Sequence, residues 1–342
     1  MARLCARSGD PLDLLEEVAA AVRPEIPYAV AGWLLVDPDT LLVTGVYSEG
    51  ITREQNLAVV RLELTTDDVT KFWELAATGV DAASLWTATG GDLSRSARWA
   101  GVYGPAGLGD ELRTVFRSGG STWGHGCLTR AADDPPFAPA EVALVARLCP
   151  HIGHGLRTRL LLARDPRPGP DRSAPAVLVL ADDGSVVSAT PQVEEWLGPL
   201  DGETLGTTIV LHEVAHQARA LVAGGTGPPA LARTRSVSGR WLLARATVLD
   251  DARVAVVLEP ADGGQLAPVL LRLHGLTERE REVTGLLLTG MPSAAIAARL
   301  WITAETLHSH VKSVYAKLGV RSRPELAALA APEPDVRTAA PR

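Results

Sequence analysis

Apolar residues recur at two spacings along the chain, and these spacings divide it into predicted strands and helices. In residues 10–163, helical spacing predicts one helix near the start, one that opens at Thr66 and a long one that opens at Pro139. Strand-like runs between the helices form two pairs, with turns at residues 37–40 and at Gly119-Gly120. This order of elements predicts an α+β domain with an antiparallel sheet.

Residues 176–261 repeat this kind of pattern over a shorter length. Two strand-like runs flank Asp182-Asp183-Gly184, which is a strong hairpin signal, and two helical stretches and three more strands follow. We therefore predict a second α+β domain. Residues 164–175 are rich in proline, which removes backbone donors and fixes φ, so they are predicted to be a linker. Residues 332–342 hold few apolar side chains and are predicted to be a disordered tail.

The last patterned block, residues 266–331, contains short helices separated by capping residues. These capping residues are the S/T-x-x-E pairs Thr277/Glu280 and Ser322/Glu325, the stop at Gly290, and the N-caps Ser293 and Thr303. Such closely spaced starts and stops leave no room for strands. We therefore predict an all-α, four-helix domain at the C-terminal end.

The helix that Thr303 opens carries a single apolar stripe. The stripe consists of Leu307, Val311, Val314 and Leu318. The opposite face carries Glu305, Ser309, Lys312 and Ala316, with His308 and Ser313 on its flanks. A helix that packs through one face and presents small, polar and basic groups on the other can lie in the major groove of DNA. Together with the shorter helix before it, this pattern predicts a helix-turn-helix.

The whole block resembles the DNA-binding domain of LuxR-type transcriptional regulators. The family pattern runs L-T-x-R-E-R-E-V, then I-A-x-x-L, T-V-K-x-H-V and K-L-G-V-x-x-R-x-E-L, and residues 276–326 follow it at nearly every patterned position. One position departs from it, because His308 stands where the family usually carries lysine. We therefore expect a different base preference at that contact.

The resemblance implies a sequence-specific DNA-binding transcription regulator with double-stranded DNA as its partner. We expect His308, Ser309 and Lys312 to reach base edges in the major groove. The side chains expected to hold phosphates are Thr303, Thr306, Lys317, Arg321 and Arg323. One recognition helix reads few base pairs, so we expect a homodimer. Two surfaces could supply its contact. The larger is the apolar stripe of the helix that begins at Pro139, expected to keep the protein dimeric in solution: Val142, Val145, Leu148, Ile152 and Leu156. The smaller is the apolar edge of the fourth helix, expected to form mainly on DNA: Leu326, Leu329 and Ala330.

The two N-terminal domains resemble sensor modules. The first is similar to a GAF-type domain in its order of elements, in Trp123-Gly124 at its last strand and in Pro136-Phe137 ahead of Glu141. The second has the order of a PAS-like fold. These resemblances imply control by a sensed signal, with a small-molecule ligand whose identity the sequence does not reveal.

Composition indicates where such a protein works. The net charge of −7 argues against general binding to nucleic acid, yet residues 276–326 hold seven Lys and Arg against five Asp and Glu. The three scattered cysteines, Cys5, Cys127 and Cys149, fit a reducing compartment. No apolar run approaches the ~18 residues of a membrane span, and no secretory signal opens the chain, so we expect a cytoplasmic protein.

Two other motifs suggest chemistry. His212-Glu213-Val214-Ala215-His216 has the form H-E-x-x-H, in which two histidines bind zinc and the glutamate acts as base. A third ligand is absent nearby, and the helical pattern places both histidines towards water, so we expect no metal here. His125 and Cys127 share one face of a glycine-rich strand, which we interpret as core rather than as a reactive pair.

Two alternatives stay open beside the transcription regulator, for which we expect no catalytic residues and no cofactor. The chain could be a zinc metallopeptidase that uses His212, Glu213 and His216. It could also be a small-molecule sensor whose C-terminal domain binds a protein. Metal analysis distinguishes the first alternative, and salt-dependent binding to duplex DNA distinguishes the second.

Overall fold

The computed structural model describes residues 1–7, 9–163, 174–249 and 251–330. Contacts between residues divide the chain into two compact units, Met1–Pro260 and Ala261–Arg342. Each unit has its own buried apolar core. Most of the predicted linker at 164–175, and the predicted tail at 332–342, lie outside the described residues.

The N-terminal part of the first unit is built on a five-stranded antiparallel sheet. Its strands are β1 (Val30–Val36), β2 (Val43–Glu49), β3 (Ala82–Ser84), β4 (Leu108–Ser118) and β5 (Ser121–Ala131). Its helices are α1 (Ala2–Cys5), α2 (Pro11–Val22), α3 (Arg53–Thr65), α4 (Phe72–Thr78), α5 (Leu85–Thr89) and α6 (Pro139–Leu162). The strand order is β2-β1-β5-β4-β3, with α2 and α6 on one face and α4 on the other.

Both predicted hairpins of this sheet are confirmed. β1 pairs with β2 across the turn at residues 37–40, and β4 pairs with β5. Gly119 and Gly120, at the tip of the second hairpin, have φ of 61° and 74°. A two-residue turn between twisted strands requires positive φ at both positions, which glycine adopts without strain.

The prediction of a helix that opens at Thr66 is wrong. Thr66 follows the last residue of α3, and α4 begins only at Phe72. The apolar residues of α3 do not lie on one face, because Leu57, Val60 and Leu64 pack on one core cluster and Ala58, Val59 and Leu62 on another, which weakens the helical pattern. The signal for α3 is instead the capping box of Thr52 and Gln55, in which each side chain bonds the other residue's backbone N–H.

The second part of the first unit contains another five-stranded antiparallel sheet. Its strands are β6 (Ala176–Leu180), β7 (Val186–Ala189), β8 (Leu231–Arg235), β9 (Trp241–Val248) and β10 (Val254–Pro260). Its helices are α7 (Gln192–Leu197) and α8 (Ile209–Val222). The strand order, β7-β6-β10-β9-β8, repeats that of the first sheet. The fold class of two α+β regions is confirmed for the described residues.

Helix α8 joins the two parts of the first unit. One side packs on β8, β9 and β10, and the other packs on α3 and β2. Ten consecutive residues, from Ile209 to Ala218, are therefore buried. Polar contacts strengthen the joint: Arg233 Nη1 lies 3.0 Å from Asp37 Oδ2, and Thr234 Oγ1 donates to Thr44 O at 3.0 Å.

The apolar stripe of α6 does not form the expected dimer surface. Val145, Ile152 and Leu156 are buried inside the first unit. Gly153 explains how closely the helix sits on the sheet, since a Cβ there would come within 2.7 Å of the Arg117 backbone. A stripe at helical spacing shows that a face is covered, but it does not show by what.

The second unit is entirely helical in its described residues. Its helices are α9 (Gly263–Leu273), α10 (Glu278–Leu288), α11 (Ser293–Arg299), α12 (Ala304–Leu318) and α13 (Arg323–Ala330). Val283, Ile296, Leu307 and Leu326 form its core with neighbouring apolar side chains. In the described parts of both units, no helix combines the length and apolar character that crossing a membrane requires.

Candidate functional site

Helix α12 has the capping and the two-faced character that the sequence predicts. Thr303 Oγ1 accepts the Thr306 N–H at 3.1 Å, and Gly319 ends the helix with φ of 68°. Leu307 and Val314 are buried against α10 and α11. The opposite face is left exposed.

The three residues expected to contact bases lie on this exposed face. His308, Ser309 and Lys312 are all exposed. Ser309 Oγ donates to Glu305 O at 3.1 Å, which is a bond within the helix. The side chains of His308 and Lys312 form no hydrogen bond or ion pair with any described residue. They are therefore free to meet a partner of the helix.

The five expected phosphate contacts fall into two groups. Thr303 and Thr306 at the start of α12, and Arg321 after its end, are exposed. Lys317 instead lies 2.6 Å from Glu280 Oε2, and its Nζ also donates to Gly275 O at 3.1 Å.

Arg323 is also engaged inside the helical unit. Its Nε donates to Leu287 O at 3.0 Å, and its Nη2 donates to Met291 O at 2.9 Å. These carbonyls lie at and just beyond the end of α10, where backbone acceptors lack partners in the helix. Arg323 thus caps α10, and the structure gives it and Lys317 internal partners where the sequence suggested phosphates.

Glu280 ties α10 to α12. Ser313 Oγ donates to Glu280 Oε1 at 2.6 Å, and the Thr277 N–H donates to Glu280 Oε2 at 2.7 Å. Burial alone would raise the pKa of Glu280, but hydrogen bonds from Lys317, Ser313 and Thr277 lower it to about 2. The carboxylate is therefore charged at neutral pH and holds the exposed helix in place.

Comparison with known families identifies this unit. Residues 274–330 match the family described as bacterial regulatory proteins, luxR family. These residues form a LuxR-type domain. The prediction from the motifs of residues 276–326 is confirmed, and α10 to α13 are the helices of that domain.

Similar proteins extend the comparison. The HTH-type transcriptional regulator MalT of Serratia proteamaculans is 41% identical over 58 residues, which are 17% of this chain and 6% of MalT. This chain thus spans a small fraction of the length of that relative.

Two solved structures overlap larger parts of the chain. A GAF domain/HD domain protein from Geobacter sulfurreducens covers 45% of this chain and 95% of its own, at 16% identity and a TM-score of 0.35. Escherichia coli SdiA covers 95% and 92%, at 12% identity and a TM-score of 0.34. Scores of this size do not establish a shared fold, so the GAF-like and PAS-like resemblances stay predictions.

A second candidate site lies in the first unit, away from the LuxR-type sequence. A cavity of about 500 Å³ opens on the face of the first sheet opposite α6. Alternate residues of β1 and β5 point into it, because alternate side chains of a strand share a face. These residues are Val30, Gly32, Leu34, His125, Cys127 and Thr129. Helices α3, α4 and α8 complete its wall.

His125 is the most unusual residue in this wall. Its ring stacks on Phe72, with the ring centres 4.2 Å apart and the planes 4° from parallel. Neither ring nitrogen has a hydrogen-bond partner among the residues that the structure describes. Burial, with the Arg113 charge second, lowers the pKa of His125 to about 3, so the ring is neutral.

Cys127, two residues further on, is not a reactive thiol. It shares the cavity face with His125, as their spacing predicts. Burial, with the Glu111 charge second, raises its pKa to about 12, so the thiolate does not form near neutral pH. The interpretation of this strand as core is consistent with that result.

A buried ionic network lies beside the cavity. Arg113 Nη1 lies 2.6 Å from Glu63 Oε2, and Arg113 Nε lies 3.1 Å from Glu111 Oε1. Arg98 joins Glu111 to Asp68 at 3.0 and 2.9 Å. Burial alone would raise the pKa of Glu111, but the two arginines lower it to about 2.

The sequence analysis did not single out this network. A signal for it exists in β4 and β5, because charged or polar residues occupy alternate positions in both strands of one hairpin. Glu111 and Arg113 alternate with buried Leu112, and they pair with Thr129 and Cys127 on the neighbouring strand. Such a pattern indicates a polar face, and here that face points inward.

The predicted orientation of the H-E-x-x-H motif is wrong, and its glutamate lies at this cavity. His212, Glu213 and His216 are all buried, because α8 packs on both sides. Burial raises the pKa of Glu213 to about 8 and lowers the pKa of His212 to about 3 and of His216 to about 4. Within the described residues, no group of three His, Cys, Asp or Glu side chains is arranged to hold a metal ion. Glu213 instead lines the cavity.

Proposed function

We propose that this chain is a transcription regulator that binds a specific DNA sequence through the exposed face of α12. The observation that supports this proposal is the free state of His308 and Lys312 in a LuxR-type domain. A cationic side chain that has no partner, on a helix held by its other face, is available to a base edge or a phosphate.

In this proposal His308, Ser309 and Lys312 read bases in the major groove. Lysine donates to guanine O6 and N7, and serine donates to or accepts from several bases. Thr303 and Thr306 hold phosphates at the N-terminal end of α12, where the helix dipole favours anions. Arg321 holds a phosphate beyond the other end. Lys317 and Arg323 are left out, because both have partners inside the domain.

The test begins with selection of bound sites from randomised duplexes by the full-length protein. Lys312→Ala should then weaken binding to the selected site by about 1–3 kcal/mol, or roughly 5- to 150-fold, if Lys312 reads a guanine. The fold should be unaffected, since Lys312 is exposed. Titrations at several salt concentrations separate the two roles, because loss of a phosphate contact reduces the salt slope by about one and weakens binding to all sequences alike.

Arg245→Ala is a matched control. It removes one exposed positive charge from a strand of the first unit and leaves α12 unchanged. Equal affinities of wild-type protein and the Lys312 variant for the selected site would refute the proposed reading face. Loss of affinity in both variants would show that only the net charge matters.

We also propose that the protein binds DNA as a homodimer. One recognition helix reads too few base pairs to single out a site in a genome, whereas two related by a two-fold axis double the site. The selected sequence should therefore be an inverted repeat with half-site centres about 10 bp apart. Three of the five residues of the α6 stripe are buried in the first unit, which leaves only Val142 and Leu148 partly exposed for the contact.

Control by a small molecule is the last part of the proposal. Its support is the cavity of about 500 Å³, within the range of roughly 300–1,000 Å³ typical of ligand sites. His125 adds to this support, because its ring is buried and neither nitrogen has a partner among the described residues, so an occupant of the cavity could bond to them.

A further inference from the structure

The cavity is walled by both α+β parts of the first unit. The first sheet contributes His125 and Arg113, whereas α8, which packs on the second sheet, contributes Glu213 and Gln217. Gln217 is already engaged, because its Nε2 donates to Pro228 O at 2.7 Å. Glu213 Oε2 accepts the Val43 N–H at 3.1 Å. No cationic side chain pairs with it in the described part of the chain.

Several buried polar atoms in this wall lack the hydrogen-bond partners that such atoms normally have. Among the described residues they include both nitrogens of His125, Arg113 Nη2 and Thr40 Oγ1. An unmade bond at a buried polar group costs about 1–3 kcal/mol. Arg113 can only donate, neutral His125 has one donor and one acceptor, and protonated Glu213 adds a donor. The wall is therefore rich in donors.

The charges around the cavity are already balanced. The cations that line it are Lys71 and Arg113, and the ionised carboxylates that line it are Glu63 and Asp67. Glu213 adds no charge near neutral pH, because burial raises its pKa to about 8. An ionic ligand would leave an uncompensated charge in a buried site, which is strongly unfavourable.

The greater part of the wall is apolar, although Asn56, Tyr103 and several threonines also line it. Its apolar side chains include Leu34, Val59, Val60, Leu64, Phe72 and Ile209. A ligand must therefore bury mainly hydrocarbon and present its polar atoms at a few defined points. Donors in the wall require acceptors on the ligand.

We propose that the cavity binds an uncharged small molecule that has an apolar body and at least two carbonyl-type acceptors, held between His125 and Arg113 on one side and Glu213 on the other. This inference rests on the proposed sensory role of the cavity. It adds the class of ligand and assigns Glu213 as the contact from the second α+β part. The H-E-x-x-H glutamate thus serves a ligand site rather than a metal.

The test uses four aromatic probes with one ring skeleton, measured by titration calorimetry on the full-length protein. Naphthalimide is neutral with two carbonyls, naphthalene has no acceptor, naphthoate is an anion and naphthylmethylammonium is a cation. Naphthalimide should bind with one site per chain, at least about tenfold tighter than the other three, since one hydrogen bond is worth about that factor.

Variants then locate the probe. Glu213→Leu removes the polar group and should weaken naphthalimide binding about tenfold, whereas Glu213→Gln keeps a donor and an acceptor and should retain it. His125→Phe preserves the stacking on Phe72 but removes both ring nitrogens, so it should also weaken naphthalimide binding about tenfold. Glu203→Leu, at an exposed carboxyl, is the control and should bind as wild type does.

Several results would overturn the inference. These are tighter binding of either charged probe, binding of naphthalimide that Glu213→Leu and His125→Phe leave unchanged, and absence of binding by all four. A separate titration with DNA keeps the two proposals apart. If naphthalimide binds as expected but the affinity for DNA is the same with and without it, the proposed sensory role of the cavity is refuted, whereas the proposed class of ligand is retained.

Discussion

Glu280→Gln is the substitution that most directly tests how the DNA-binding helix is held. The one amide oxygen of Gln can still accept the Thr277 N–H, and its NH2 can donate to the Ser313 oxygen, but Gln removes the charge that faces Lys317 at 2.6 Å. The variant therefore separates the ionic contribution from the helix cap. Its effect should appear in α10 and α12, the two helices that Glu280 joins.

The magnitude follows from the pKa of Glu280. Its fall from 4.5 to about 2 corresponds to about 3 kcal/mol of free energy of unfolding, at about 1.4 kcal/mol per unit. Lys317 supplies only part of this shift and is one-third exposed, and the Thr277 and Ser313 bonds can be kept, so we expect Glu280→Gln to lower the free energy of unfolding by about 1–2 kcal/mol. Because the folded-state pKa is lowered, the stabilisation is fully present above about pH 5 and is lost as pH falls towards 2.

Hydrogen exchange of the full-length protein, read by mass spectrometry on peptides from α10 and α12, measures this local free energy. Glu282→Gln is the control, since its carboxylate pairs with Arg279 at the surface and should contribute below 1 kcal/mol. Equal effects of the two substitutions at pH 7 would refute the reasoning. The reasoning would also be refuted if the difference in local free energy of unfolding between wild type and Glu280→Gln were as large at pH 3 as at pH 7.

Two further predictions concern the same domain. His308→Lys should shift the preferred base at its contact towards guanine, and selection from randomised duplexes by both proteins checks this; identical selected sites would exclude His308 from base contact. Trp301 is 94% exposed and has φ of 53°. Because Asn tolerates positive φ, Trp301→Asn should raise the free energy of unfolding by about 0.5–1 kcal/mol. Exchange rates of α11 and α12 measure the gain, and slower exchange combined with weaker DNA binding would show that the exposed indole contacts DNA.

The LuxR-type domain could be predicted because its determinants are local. Each helix start depends on residues three apart in sequence, such as Thr277 with Glu280, and each apolar stripe depends on one turn of helix. The internal use of Lys317 and Arg323 could not be predicted in this way. Their partners are Glu280 and the carbonyls at the end of α10, which lie more than thirty residues away in sequence.

The two clearest errors of the sequence analysis fall on the same structural feature. The pattern placed a helix start at Thr66, and Thr66, Lys71 and Phe72 line the cavity. It also placed His212 and His216 towards water, but both are buried, and Glu213 between them lines the cavity. Hydrophobic patterns assume that polar faces meet solvent.

That assumption fails where a fold encloses polar residues around a cavity. Helix α8 would need one apolar face if it covered only the second sheet, yet ten consecutive residues of it are buried. Retaining an uncompensated carboxyl and two histidines there, in place of apolar side chains, lowers stability. Local rules are expected to fail at functional sites, because there stability is given up for another property. The agreement of both errors on one cavity is thus an independent reason to seek a ligand there, separate from its volume and its unpartnered histidine.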